Sequence, residues 1–133
     1  MKNIILVIGL FLSVQAIGEI VTTKPVPAQQ PLSGPAFKFL RGHTQSNGYA
    51  LQWSMTSNTG IQNFLVEYTY EDPTDPYSNW YTVGVVNAGN NQNIYKITHW
   101  SVLPGTINYR VTATVNSLTV SNVVSDIYTV VIK

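Results

Sequence analysis

The chain has 133 residues, which is room for one domain of ordinary size, and 10% of them are charged against 44% hydrophobic, a balance that argues against intrinsic disorder. Seven basic and six acidic residues give a formal net charge of +1, which leaves no electrostatic footprint for nucleic acid. Cysteine is absent, so disulfides, thiolate zinc sites and a cysteine-borne lipid anchor are excluded, and packing alone must hold the fold.

Met1 to Gly18, MKNIILVIGLFLSVQAIG, places one basic residue, Lys2, before an apolar run from Ile4 to Val14 and closes on small residues at Ala16 and Gly18. This is the pattern of a signal peptide, and the run is well short of the roughly 20 residues that span a bilayer. Cleavage after Gly18 or after Ala16 fits the small-residue preference. The expectation is a secreted, periplasmic or cell-surface protein with no membrane span in the mature chain. Glu19 to Pro35 carries four of the seven prolines, shows neither helical nor strand period, and reads as an extended Pro-rich linker. The domain then occupies residues 36–133.

After the leader, no apolar residues recur at helical spacing for three turns, whereas short runs of Val, Ile, Thr, Tyr and Trp alternate with turn chemistry. Strands are expected at Ala36 to Arg41, Tyr49 to Met55, Asn63 to Tyr70, Trp80 to Val86, Asn93 to Thr98, Asn108 to Val115, and Val120 to Ile132, the last with a break near Ser125 allowed for. Seven such strands make an all-β antiparallel sandwich. Alternation assigns faces. Tyr49, Leu51 and Trp53 share one side of the second strand, Phe64, Val66 and Tyr68 one side of the third, and Tyr109, Val111, Ala113 and Val115 one side of the sixth. These point between the sheets, with Trp53, Phe64, Val66, Tyr109 and Val111 as the core. Gln52, Glu67, Thr69, Arg110, Thr112 and Thr114 then face water, and Leu65 breaks the pattern.

LQW (Leu51 to Trp53), FLVEY (Phe64 to Tyr68) and LPGTINYRVTA (Leu103 to Ala113) stand in an order and spacing that resembles fibronectin type III domains, over Phe37 to Ile132. Trp53 sits where such domains place the tryptophan of the second strand. Tyr109, six residues after Leu103, resembles their tyrosine corner, and Trp80 with Val83 resembles the W-x-x-V of variants attached to exported bacterial proteins. The resemblance implies a seven-stranded immunoglobulin-like sandwich, and a Tyr109 whose ring is buried while its hydroxyl bonds backbone upstream.

Candidate chemistry is sparse. His43 and His99 are the only histidines, and nothing in the sequence brings either beside an Asp and a positioned hydroxyl, so both are expected in exposed loops. Glu71, Asp72 and Asp75 fall within five residues of YEDPTDPY without the spacing of an EF-hand, and read as a solvated turn. No catalytic residue, metal ligand set or cofactor is implied. Tyr70, Tyr77, Trp80 and Tyr81, with Trp100, are the candidate ligand-binding aromatics, able to stack on sugar rings or on a partner's side chains. The expected role is a non-catalytic binding, adhesion or spacer module with a protein or glycan partner. The alternatives are a discoidin-like carbohydrate-binding protein using those aromatics, or a self-assembling surface subunit whose Glu19 to Thr23 segment or long last strand extends a neighbour's sheet.

Overall fold

The computed structural model describes residues 34–89 and 91–133, so the expected signal peptide and nearly all of the expected linker lie outside the described residues. Among the described residues there is no helix, hence none long and apolar enough to cross a membrane. Eight strands form: β1 (Phe37–Gln45), β2 (Gly48–Met55), β3 (Ile61–Thr69), β4 (Tyr81–Asn87), β5 (Ile94–Trp100), β6 (Gly105–Val115), β7 (Val123–Val124) and β8 (Tyr128–Ile132). They make two antiparallel sheets, one ordered β1-β2-β5 and the other β4-β3-β6, with β7 and β8 both paired to β6.

The long first hairpin departs from expectation. The stretch Gly42 to Gly48 reads as a turn, yet β1 runs through it to Gln45, and only Ser46 and Asn47 separate it from β2. Packing overrides local propensity here. At Gly42 a Cβ would collide with the Tyr49 ring and come within 2.6 Å of the Ala50 carbonyl oxygen, so glycine is the residue that lets the strand lie over a core tyrosine. His43 is therefore an exposed strand residue and not a loop residue.

The last strand is not continuous either, which is why the structure has eight strand segments where seven were expected. β7 pairs Val124 with Thr112, and β8 pairs Tyr128 with Tyr109, so four steps along the last segment match three along β6. That one extra residue reverses which parity points inward. Val123 packs on the core before the break, and Tyr128, Val130 and Ile132 do so after it. Ser125 holds the break together. Its backbone N–H donates to the Val111 carbonyl (2.8 Å), its Oγ accepts the Val111 N–H (2.9 Å), and its own hydroxyl donates to the Asp126 carbonyl (2.9 Å). A side-chain oxygen thus stands where the ladder would supply a carbonyl.

Between the sheets, Trp53, Phe64, Val66, Tyr95, Ile107, Tyr109 and Val111 are fully buried. One group of rings is apolar: Phe37 meets Phe64 edge-on at 6.4 Å, Phe64 meets Trp53 at 5.5 Å, and Tyr95 stacks on Trp53 at 6.1 Å. The Trp53 indole N–H is buried without a partner among the described residues, a cost of about 1–3 kcal/mol that packing must offset. Thr69, expected to face water, is fully buried instead, because its hydroxyl accepts the Glu71 N–H (3.0 Å) and its carbonyl accepts the Asn108 side-chain amide (3.4 Å).

Ser125→Ala tests the break. Leaving the Val111 N–H without an acceptor should lower unfolding free energy by about 1–3 kcal/mol, read as a lower urea midpoint at unchanged slope. A variant as stable as wild type would assign the break to some other contact.

Candidate functional site

The candidate aromatics gather around one end of the sandwich, where the β3–β4 connection, residues 70–80, passes the β5–β6 connection. That connection is built from turns fastened by its own carboxylates. Asp72 Oδ1 accepts the Thr74 N–H (2.9 Å) and hydroxyl (2.7 Å), Asp75 Oδ1 accepts the Tyr77 N–H (2.9 Å), and Glu71 accepts the Asn79 N–H (3.1 Å) and side-chain amide (3.3 Å). The Thr74 bonds hold the Asp72 carboxyl below the usual carboxylate range. All three carboxylates are therefore acceptors for local turns, and among the described residues no three His, Cys, Asp or Glu side chains converge on a common point.

The four candidate residues do not share a face. Tyr77 stands 89% exposed in the loop. Trp80 lies half-buried on the outer face of the second sheet, where the Arg110 guanidinium covers its ring at 3.9 Å and bonds Glu67 Oε1 through Nε at 2.9 Å. Tyr81, the next residue, turns the other way and rests its ring 5.6 Å from Tyr68 on the inner side of the edge strand β4. Tyr70 is a clamp: its hydroxyl donates to the Leu103 carbonyl (2.9 Å) and accepts the Leu103 N–H (3.0 Å), while its ring covers Gly105, whose φ of 129° favours glycine. Trp100 points outward from β5, 63% exposed.

Inward of Tyr81 the structure assembles an array that the sequence did not announce. From one open edge to the other, the rings run Tyr128, Tyr49, Tyr109, His99, Tyr68, Tyr81, with centroid separations of 6.3, 5.9, 5.7, 4.3 and 5.6 Å. Two hydrogen bonds tie it: the Tyr49 and Tyr128 hydroxyls meet at 2.7 Å, and the Tyr109 hydroxyl meets His99 Nδ1 at 2.8 Å. Tyr109 therefore differs from the tyrosine-corner expectation. Its ring is buried, but its hydroxyl bonds an imidazole, and the tyrosine that holds the backbone of the β5–β6 connection is Tyr70. His99, expected in an exposed loop, is a half-buried strand residue because β5 continues to Trp100 and carries it inward on the same parity as Tyr95 and Ile97.

Burial raises the Tyr109 phenol above its ordinary pKa, reinforced by the surrounding tyrosines, and lowers the His99 imidazole below its own. Both groups stay neutral at pH 7, and the imidazole tautomer sets which of the Tyr109 hydroxyl and Nδ1 donates in the bond between them. Tyr49 is raised likewise, first by burial and then by its bond to Tyr128. The phenol–imidazole pair sits inside the aromatic stack, with the Tyr68 ring on one side of His99 and the Tyr109 ring edge-on to it. It fills space and satisfies polar tips.

The sign of its pH dependence follows. A histidine with a depressed folded pKa binds its proton more readily when unfolded, so its contribution is complete above about pH 6.5 and is lost as pH falls through the folded value. Melting temperature should therefore drop as pH falls below about 6.5, and His99→Gln, neutral throughout, should lack that drop. A wild-type curve that is flat or rises there would contradict the assignment. No protein-family description matches this chain, and no curated protein does.

Proposed function

We propose that this protein is an exported, non-catalytic binding or adhesion module built on one domain of the fibronectin type III kind. The strand order carries the reading. A three-stranded β1-β2-β5 sheet facing β4-β3-β6 with the last segment beside β6 is the arrangement expected of such a domain, once β7 and β8 are counted as one strand interrupted at Ser125. Export rests on the leader at residues 1–18. The non-catalytic reading is supported by the fate of the polar groups: His99 is occupied by Tyr109, Arg110 by Glu67 and Trp80, and the acidic residues of the β3–β4 connection by their own turns. A carbohydrate platform made of Tyr77, Trp80 and Tyr81 finds no support in the geometry, since the three rings occupy a loop, an outer face and an inner edge.

Expression of the full chain in a secreting host, with N-terminal sequencing of the released product, tests export. The expected product begins at Ile17 or Glu19; one that stays in the cell and begins at Met1 overturns it. For the binding role, the immobilised protein should retain a defined protein or glycan from cell-envelope fractions, and failure to retain either would leave a spacer.

A further inference from the structure

The outer face of the β1-β2-β5 sheet has an organisation that the core does not require. Its register sets three rows across the strands: Arg41, Gln52, Lys96; then His43, Ala50, Thr98; then Gln45, Gly48, Trp100. At Gly48, Ala50 and Ser54 the middle strand supplies short side chains, and Ala50 and Ser54 are buried at 9% and 4% although they point away from the core. The flanking residues Arg41, His43, Gln45, Lys96 and Trp100 are exposed and stand above that floor. Two contacts hold the strip in place: the Arg41 guanidinium packs 4.4 Å from the Phe39 ring centroid, and Thr98 Oγ1 donates to Gln45 Oε1 across the middle strand (3.3 Å). Past Trp100 the chain turns at Ser101, which has a left-handed φ of 57° and donates its N–H to the Asn47 carbonyl (2.7 Å). Gln45 and Gly48 also border a depression of about 510 Å³ at this end of the domain, whose walls are polar at Thr44, Ser46 and Asn47 and apolar at Val102, Leu103 and Ile132, with Lys133 at its edge.

Charge is segregated in the same direction. β1, β2 and β5 contain no Asp or Glu, and carry Lys38, Arg41 and Lys96. The acidic residues of the domain, Glu67, Glu71, Asp72, Asp75 and Asp126, all belong to the second sheet and its connections. Arg41 and Lys96 oppose each other two strands apart, about 10 Å between backbones.

We propose that this strip binds an acidic polysaccharide of the uronate type, a proposal that deepens the binding-module reading and rests on it. Arg41 and Lys96 take sugar carboxylates, Trp100 stacks on a pyranose face, and the amides and hydroxyls of Gln45, Gln52 and Thr98 and of the depression take ring hydroxyls. A protein partner fits less well, because protein interfaces bury an apolar centre and the centre of this strip is Gln52, Ala50 and Gly48. Two basic residues on strands whose backbones lie about 10 Å apart give the strip a sparse positive charge, which matches a chain bearing one carboxylate per sugar better than a densely sulfated one.

The test is affinity electrophoresis and calorimetry of the purified protein with polygalacturonate, with neutral dextran, dextran sulfate and poly-glutamate as comparisons. Polygalacturonate should bind and dextran should not, and binding should weaken as salt rises. The double variant Arg41→Glu, Lys96→Glu, checked for an unchanged melting temperature, should lose about tenfold or more in affinity, as should Trp100→Ala, while Val85→Thr on the opposite sheet retains wild-type affinity. Absence of polygalacturonate binding overturns the proposal, as does a double variant that binds like wild type. Preference for dextran sulfate or poly-glutamate overturns it too, naming a sulfated glycan or an acidic protein instead. A protein that fails on polygalacturonate yet still retains a defined envelope partner loses this site while keeping the module reading.

Discussion

Rings fill the roughly 10 Å between the two sheets, and they must do so without leaving a phenol or imidazole tip unsatisfied. The Tyr109–His99 bond at 2.8 Å and the Tyr49–Tyr128 bond at 2.7 Å meet that constraint in pairs, each joining a residue of one sheet to a residue of the other. Because hydrogen bonds have narrow geometry, these two contacts set how the sheets lie against each other more sharply than apolar packing would. In a chain with no cysteine they are the nearest thing to cross-links. The neighbouring Phe37–Phe64–Trp53–Tyr95 group adds bulk and little direction.

Around this interior the strands are adjusted by single-residue insertions. β1 gains one between Phe37 and Phe39, β4 gains one opposite Val66 and Glu67, β3 one between Ile61 and Asn63, and the last segment one between β7 and β8. Each resets which parity faces inward, so Phe37 reaches Phe64 while Phe39, two residues on, lies outside under Arg41. The outer strip of the first sheet depends on that reset.

Much of the architecture was legible because β2, β6 and, apart from Leu65, β3 alternate: a period of two on a half-buried sheet is imposed by the backbone and survives most packing detail. What escaped is what packing decides. Gly42, His43, Thr44 and Gln45 carry turn chemistry, and only the space above Tyr49 makes them a strand. His99 could have been placed by continuing the Tyr95, Ile97 parity two residues further, but its partner Tyr109 lies on another strand and no spacing rule connects them. A break near Ser125 was legible in the sequence, but the bonds by which Ser125 makes it exist only against the Val111 backbone. The separation of Trp80 from Tyr81 was available from alternation, whereas the Arg110 guanidinium lying on Trp80 was not.

The interruption at Ser125 also bears on how such a domain survives at high local concentration. A sandwich exposes strand edges, and a continuous run from Val120 to Ile132, uncharged except for Asp126, would offer a long template on which other chains could grow as fibres. Divided into two residues and five, offset by one position and carrying Asp126 at the joint, neither piece offers a long straight ladder for an incoming strand to follow. The hydroxyl that completes the ladder on the inside thereby spoils it on the outside.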